Sequence, residues 1–361
     1  MTEKLQNQYL PDYVTPPGET LDEILNSIGM TKAELSDRIG KTPKHVGDII
    51  KHGAPITPQT AMDLEKALGT PASFWNNRER RYRENLARKQ ERERLRKEVG
   101  WLRRFPLAGM IKAGCLNRRE SRVEQIEELL RYFGVCSPQQ WQKLYGSLEP
   151  AYRRSRAYES KDEAFSAWLR WGELKAREVV CAPYDKDRFK RVLSEIRELT
   201  LAAPETFKKI VELCSKAGVA VVFVPAFPGA PVYGATRWLT PEKAMIQLSL
   251  RGKFEDHFWF TFFHEAGHIL LHGKKEIFIE MNAAEDEKEL EADQFARNFL
   301  IPSGAWQKFL VSEEFKSTAA VEEFAAKLGI APAIVVGRLQ HEGRIPHSHL
   351  NGLRRRLETI S

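Results

Sequence analysis

Phe258-Trp259-Phe260-Thr261-Phe262-Phe263-His264-Glu265-Ala266-Gly267-His268 is the stretch from which the rest of the chain is best read. Its aromatic run makes the turns before His264 strongly apolar and predicts a buried helix over about residues 254–271. Four residues are slightly more than one helical turn, so His264 and His268 project from the same face. Two imidazoles placed this way suit one zinc ion. Glu265 begins the next step around the helix, within reach of a water activated by such an ion, and is the candidate general base. The competing reading is a pair of hydrogen-bonded core histidines. The apolar surroundings weigh against it, because unpaired polar groups are costly to bury and these need polar or metallic partners.

A catalytic zinc site uses three protein ligands and keeps a fourth position open. The third ligand is expected downstream, in Glu289-Leu290-Glu291-Ala292-Asp293, on an acidic helix over about residues 285–300. Glu289 and Asp293 lie one turn apart on a single face. One of these carboxylates can bind the ion while the other accepts the free ring N–H of a ligating histidine. Glu291 points elsewhere and is the alternative ligand. Glu285, Asp286 and Glu287 read as a solvated helix face. His272, four residues beyond His268, reads foremost as a helix cap and otherwise as a group supporting the site. His257, His341, His347 and His349 show no ligand spacing.

Upstream of the helix, Val219–Val224 is apolar, rich in β-branched residues and ends at Pro225, as a buried strand does. Tyr233–Trp238 and Ala244–Ser249 are further strands, separated by the turn at Thr240-Pro241-Glu242. Residues 244–249 alternate like a half-exposed strand and stand just before the metal helix. They read either as an edge along which a peptide substrate pairs or as an ordinary sheet strand. A few strands followed by helices predict an α+β fold, mostly helical with a small sheet.

The N-terminal part is punctuated differently. Thr20 with Glu23 and Thr31 with Glu34 fit the capping box. Thr42-Pro43 and Thr57-Pro58 place a capping hydroxyl before a proline at the first helical position. Gly29, Gly40, Gly53 and Gly69 end the segments between, giving about five short helices up to Trp75. Within them, Thr31–Gly53 has the spacing of a helix-turn-helix, with Leu35 and Ile39 packing on Val46, Ile49 and Ile50. Its second helix, Pro43–Lys51, would enter the major groove of DNA. Thr42, Lys44, His45, Asp48 and Lys51 are candidates for base edges, and Lys32 for phosphate. The alternative is a small helical protein-interaction domain, because the second helix is only mildly basic.

The 361 residues are too many for one ordinary core. With 42% hydrophobic and 29% charged residues, the composition is that of a folded protein. Residues 1–77 are expected to form the helix-turn-helix domain, 78–213 a charged helical connector and 214–361 the domain of the metal motif. The formal charge is +7. Between Arg78 and Arg104 twelve basic residues face five acidic ones, an excess equal to that of the whole chain. The run suits phosphate contacts or, equally, a solvated helix with internal ion pairs. Cys115, Cys136, Cys181 and Cys214 form no C-x-x-C pair and read as reduced structural thiols. Met1–Leu10 lacks the apolar core of a signal peptide, and no run is long enough to span a membrane. The expected location is the cytoplasm, with no membrane partner.

Pro17-Gly18-Glu19 through Phe74-Trp75, with Gly29-Met30-Thr31-Lys32-Ala33-Glu34-Leu35, Ile56-Thr57-Pro58 and Leu68-Gly69-Thr70, resembles the HigA-type antitoxins of the lambda-repressor-like class. Gly234-Ala235-Thr236-Arg237-Trp238, His264–His268 and Glu291-Ala292-Asp293 with Phe295-Ala296 resemble the ImmA/IrrE metallo-endopeptidases. The second resemblance implies a gluzincin-like, zinc-dependent fold, a protein substrate such as a transcriptional repressor, His264 and His268 as ligands and Glu265 as general base. It favours Glu289 as third ligand. The first implies binding of a double-stranded operator as a homodimer, and a partner toxin, although this chain runs well beyond a plain antitoxin. Together they imply a DNA-binding regulator with a zinc endopeptidase, its activity latent until triggered, that cleaves a repressor, an antitoxin or itself. The other reading is an antitoxin or repressor whose zinc domain senses or binds without cleaving. Retention of Glu265 favours the first.

Overall fold

The computed structural model describes residues 15–146, 162–201, 206–249, 251, 254–274, 277–280, 287–312 and 314–356. Glu285 and Asp286, and residues 1–14 of the lead-in, lie outside them. The chain folds as two compact units, one ending at Glu98 and the other beginning at Val99.

The first unit is all helical: α1 (Pro17–Ile28), α2 (Lys32–Ile39), α3 (Pro43–His52), α4 (Pro58–Leu68) and α5 (Ala72–Lys97). Threonines start three of them, as the sequence predicts. Thr31 accepts from the Glu34 N–H at 3.1 Å, Thr42 from the His45 N–H at 3.1 Å and Thr57 from the Thr60 N–H at 3.2 Å. Two details differ. Thr20 lies inside α1, because Pro17 at the first position lets the helix begin earlier, after Pro16. The Glu34 carboxylate accepts from Arg38 at 2.6 Å instead of from the Thr31 N–H, so only half of the expected Thr31 capping box forms. The turn between α2 and α3 is made by Gly40 at φ 62°, a left-handed conformation in which a side chain would be strained.

Leu21, Leu25, Leu35, Val46, Ile49, Leu64 and Trp75 are fully buried and form this unit's core. Each such side chain contributes about 2 kcal/mol of burial free energy. Helix α5 closes the core through buried Glu79, which accepts from the Ile56 N–H at 3.2 Å and from Arg83 at 2.6 Å. Arg83 in turn donates to the Gly53 carbonyl at 2.6 Å. Further along, Arg88–Glu84, Arg94–Glu91 and Arg96–Glu93 pair within the helix, so part of the basic run is internally compensated.

The second unit begins with helices α6 (Leu107–Lys112), α7 (Arg122–Phe133), α8 (Pro138–Tyr145), α9 (Asp162–Glu178), α10 (Lys186–Glu198) and α11 (Thr206–Lys216). Strands β1 (Val219–Phe223), β2 (Gly234–Thr240) and β3 (Lys243–Leu248) follow, then α12 (Glu255–Leu271), β4 (Ile277–Glu280), α13 (Glu287–Leu300), α14 (Ser303–Val311), α15 (Thr318–Leu328) and α16 (Pro332–His341). The sheet order is β1-β3-β2-β4, with β1 parallel to β3 and the other pairs antiparallel.

Of the two readings of residues 244–249, the structure has the ordinary sheet strand and not the edge. Strand β3 lies inside the sheet, and both its faces are buried. Ala244, Ile246 and Leu248 join the core that contains α12. On the opposite face, Gln247 donates to the Trp168 carbonyl of α9 at 2.8 Å, and the Trp168 indole donates to the Val224 carbonyl at 2.8 Å. The alternation that suggests solvent therefore reflects a second helical layer. The 162–178 segment, in which the sequence shows no motif, supplies that layer.

Helix α12 is buried on nearly all sides, by β2, β3, α13 and α16. At Gly267 a Cβ would stand 3.3 Å from the Ala292 Cα, so glycine is what lets α13 approach so closely. The first turn of α12 is held by the end of the chain. Buried Asp256 pairs with Arg354 at 2.7 Å, and buried Glu255 with Arg355 at 3.0 Å.

Candidate metal centre

The close approach of α12 and α13 brings three groups together. The Nε2 atoms of His264 and His268 are 3.0 Å apart, and Glu289 Oε2 lies 3.0 Å from the first and 3.5 Å from the second. This is the only group of three metal-ligating side chains of such geometry among the described residues.

The remaining ring nitrogens are held too. His264 Nδ1 faces Asp293 Oδ1 at 2.9 Å, and Asp293 is anchored by Arg297 at 2.9 Å. His268 Nδ1 faces His272 Nδ1 at 2.9 Å, while His272 Nε2 faces Glu291 Oε2 at 2.9 Å. A carboxylate only accepts, so His264 carries its proton on Nδ1, and His272 carries its own on Nε2. His272 Nδ1 then accepts from His268 Nδ1–H. Both Nε2 lone pairs are left pointing at each other and at Glu289. Three acceptors converge, an arrangement that repels itself unless a proton or a cation sits among them. Burial, opposed by the Glu289 contact, holds the His268 imidazole well below its usual pKa. Glu289 is pulled two ways, burial favouring the neutral acid and the neighbouring His264 and His268 the ionised one, and its pKa falls below the usual carboxylate value. Neutral imidazole and ionised carboxylate are the forms that bind metals.

Asp293 and Glu289 stand where the one-turn spacing puts them, and Glu291 holds His272 instead of reaching the site. The role of His272 was under-read from sequence. The repeat of four residues after His268 was its signal, but a cap and a histidine partner look alike until Glu291 is placed. Glu265 is fully buried. Its carboxylate lies against Gly234 of β2, where a Cβ would come within 2.5 Å of Oε1, and Thr236 donates to its backbone carbonyl at 3.1 Å. A cleft of about 390 Å³ opens beside the three groups, walled by Tyr233, Phe260, Thr261, His264, Glu289 and Asp293 among others. Glu265 does not line it, although Thr261 and Tyr233 beside it do.

In the first unit, Thr42, Lys44 and Lys51 are exposed along α3, while His45 and Asp48 are half-buried. The Thr42 hydroxyl is committed to its cap. Lys32 pairs with Asp22 at 2.8 Å.

A helix-turn-helix unit and a second unit built around a His-Glu-x-x-His helix thus define this as a two-part protein, a DNA-binding fold joined to a metallopeptidase-type fold. Residues 21–75 match the helix-turn-helix family model. Residues 214–340 match the IrrE N-terminal-like domain, a peptidase family. Among solved structures, one similar chain is described as an antidote protein of a plasmid maintenance system from Nostoc punctiforme, at 24% identity and TM-score 0.23; the match covers 23% of this chain and 91% of that one. Another is an addiction module antidote protein of a HigA family from Coxiella burnetii, at 29% identity and TM-score 0.22, covering 24% of this chain and 94% of that one. No curated protein matches the chain. No helix among the described residues is long and apolar enough to cross a membrane.

Proposed function

We propose that this protein is a DNA-binding transcriptional regulator carrying a zinc-dependent endopeptidase that hydrolyses a peptide bond in a protein substrate. The observation that carries the metal assignment is the convergence of His264 Nε2, His268 Nε2 and Glu289 Oε2 at 3.0, 3.0 and 3.5 Å. Four-coordinate zinc with bonds of about 2.0–2.1 Å has ligand-to-ligand edges of about 3.3 Å, so the donor set fits. Bound there, zinc supplies Lewis acidity, polarising the scissile carbonyl and making an attacking water acidic near neutral pH. His264 and His268 hold the ion in the tautomers that Asp293 and His272 fix, with Glu289 as third ligand. Glu265 takes the proton of the attacking water and passes it to the leaving amine. The cleft beside Phe260 and Thr261 receives the peptide chain.

In the other unit, α3 lies in the major groove of an operator, with Lys44, Lys51, Thr42, His45 and Asp48 towards the bases and Lys32 near phosphate. A homodimer on the operator, a repressor or antitoxin as substrate, a toxin as a further partner and a cytoplasmic location complete this reading.

One observation favours a second reading. Glu265 is fully buried and is not among the residues that line the cleft, which favours a domain that binds metal and senses without cleaving. Elemental mass spectrometry of wild type beside His264→Ala, paired with a substrate screen in which Glu265→Gln is the control, tests both. About one zinc per chain, lost in the histidine variant, together with cleavage lost in Glu265→Gln, is the expected result. Zinc without Glu265-dependent cleavage would favour the sensor, and no zinc would remove both.

A further inference from the structure

The cleft continues past the metal tripod to a wall of nitrogen donors. Beyond His264, Glu289 and Asp293 it is lined by Arg297, Arg338 and Arg354 and by the imidazoles of His257, His341 and His347. The three histidines come from the first turn of α12, the end of α16 and the segment after it, so the fold gathers residues that the sequence scatters. Partial burial, with smaller contributions from the charges of Arg354, His341 and His347, holds the His257 pKa below its usual value in spite of Asp256 at 3.8 Å.

The charged groups of the wall are paired with one another. Its three guanidinium groups match the carboxylates of Asp256, Glu289 and Asp293. All three are committed within the protein, Arg297 to Asp293 at 2.9 Å. Arg354 is bound by Asp256 and Gln340, and Arg338 by Glu342 and the Arg297 and Ile301 carbonyls. Glu342 on Arg338 adds a further carboxylate just behind the wall, and a divalent ion in the tripod would add two positive charges to this set. His257, His341 and His347 are exposed, and a neutral imidazole still offers one N–H. Arg297 adds a buried Nε that has no hydrogen-bond partner in the structure.

We infer that this wall is an acid-binding subsite, so that the substrate is a peptide segment carrying an aspartate or glutamate close to the scissile bond, whose carboxylate is received by His257, His341 and His347. The inference rests on the peptidase reading above and names its substrate class. Apolar Phe260, Leu300, Ile301 and Ile334 line the same cleft and suit an apolar neighbour of that acid.

The test separates binding from catalysis. Full-length Glu265→Gln protein, loaded with zinc, is titrated by fluorescence anisotropy with a short labelled peptide containing Asp-Leu-Glu and with the same peptide containing Asn-Leu-Gln. The acidic peptide is expected to bind about tenfold tighter or more. The gap should close when His257→Gln, His341→Gln and His347→Gln are combined, with zinc content and the thermal transition unchanged. Equal affinities, binding of neither peptide, or a gap that survives the triple substitution would overturn the proposal. If the combined variant fails to fold, the three single substitutions are read in the same way. Acid-selective binding with no cleavage by wild type would sink the peptidase reading and leave the subsite standing.

Discussion

Gly234 shows how much depends on a single side chain. A methyl group there would stand 2.5 Å from Glu265 Oε1 and 2.9 Å from Thr261 Cγ2, in a site with no room to yield. Gly234→Ala is expected to cost about 1–3 kcal/mol, as overpacking does, and to displace the Glu265 carboxylate. Thermal unfolding measures the first effect, and loss of cleavage with zinc retained the second. His272 acts at one remove, by accepting from His268 and leaning on Glu291. His272→Ala is expected to weaken zinc binding about 10–100-fold in a chelator competition, with the fold intact. An unchanged affinity would return His272 to the role of a cap. At this scale the sequence was explicit about His264, Glu265 and His268, because one helix fixes their mutual geometry. It left Glu289 and Glu291 open, because they sit on a second helix whose rotation about its own axis is decided by packing at Gly267 and Ala292.

Helix α3 depends on its cap. The Thr42 hydroxyl satisfies the His45 N–H, and Pro43 removes the donor that would otherwise need a partner. Thr42→Ala is expected to destabilise the first unit by about 1 kcal/mol, followed by urea unfolding, and to weaken operator binding through fraying of the helix start. Cap signals are local, so the starts of α2, α3 and α4 were readable from adjacent residues. Thr20 misled because two helix starts, Pro17 and Thr20, lay three residues apart. Strand β3 misled for a different reason. Period-two alternation reports that two faces differ, but not that the second face is solvent, and α9 covers it with Trp168.

Across the molecule, the far end of the chain secures the helix that carries the site. Arg354 lies 98 positions from Asp256, and both side chains are nearly inaccessible. Removing one partner of such a pair leaves a buried charge uncompensated. Arg354→Ala is expected to cost about 3–5 kcal/mol in denaturant unfolding, well above the value of an exposed pair. A cost below about 1 kcal/mol would mean that water reaches Asp256 and that the C-terminal segment is only loosely attached.

By itself the sequence determined the local geometry: the helix-turn-helix from its caps and glycines, the buried helix from its aromatic run, and two histidines and a glutamate at fixed angles about one axis. These follow from the period of a helix, which needs no knowledge of the fold. The tertiary structure alone decided which carboxylate meets His264 and His268, that His272 faces His268, that β3 is interior, and that His257, His341 and His347 line the same cleft as His264 and Glu289. Each of these is a meeting of segments distant in the chain. Such meetings are set by the packing of whole faces against one another, and no short stretch of residues carries that information.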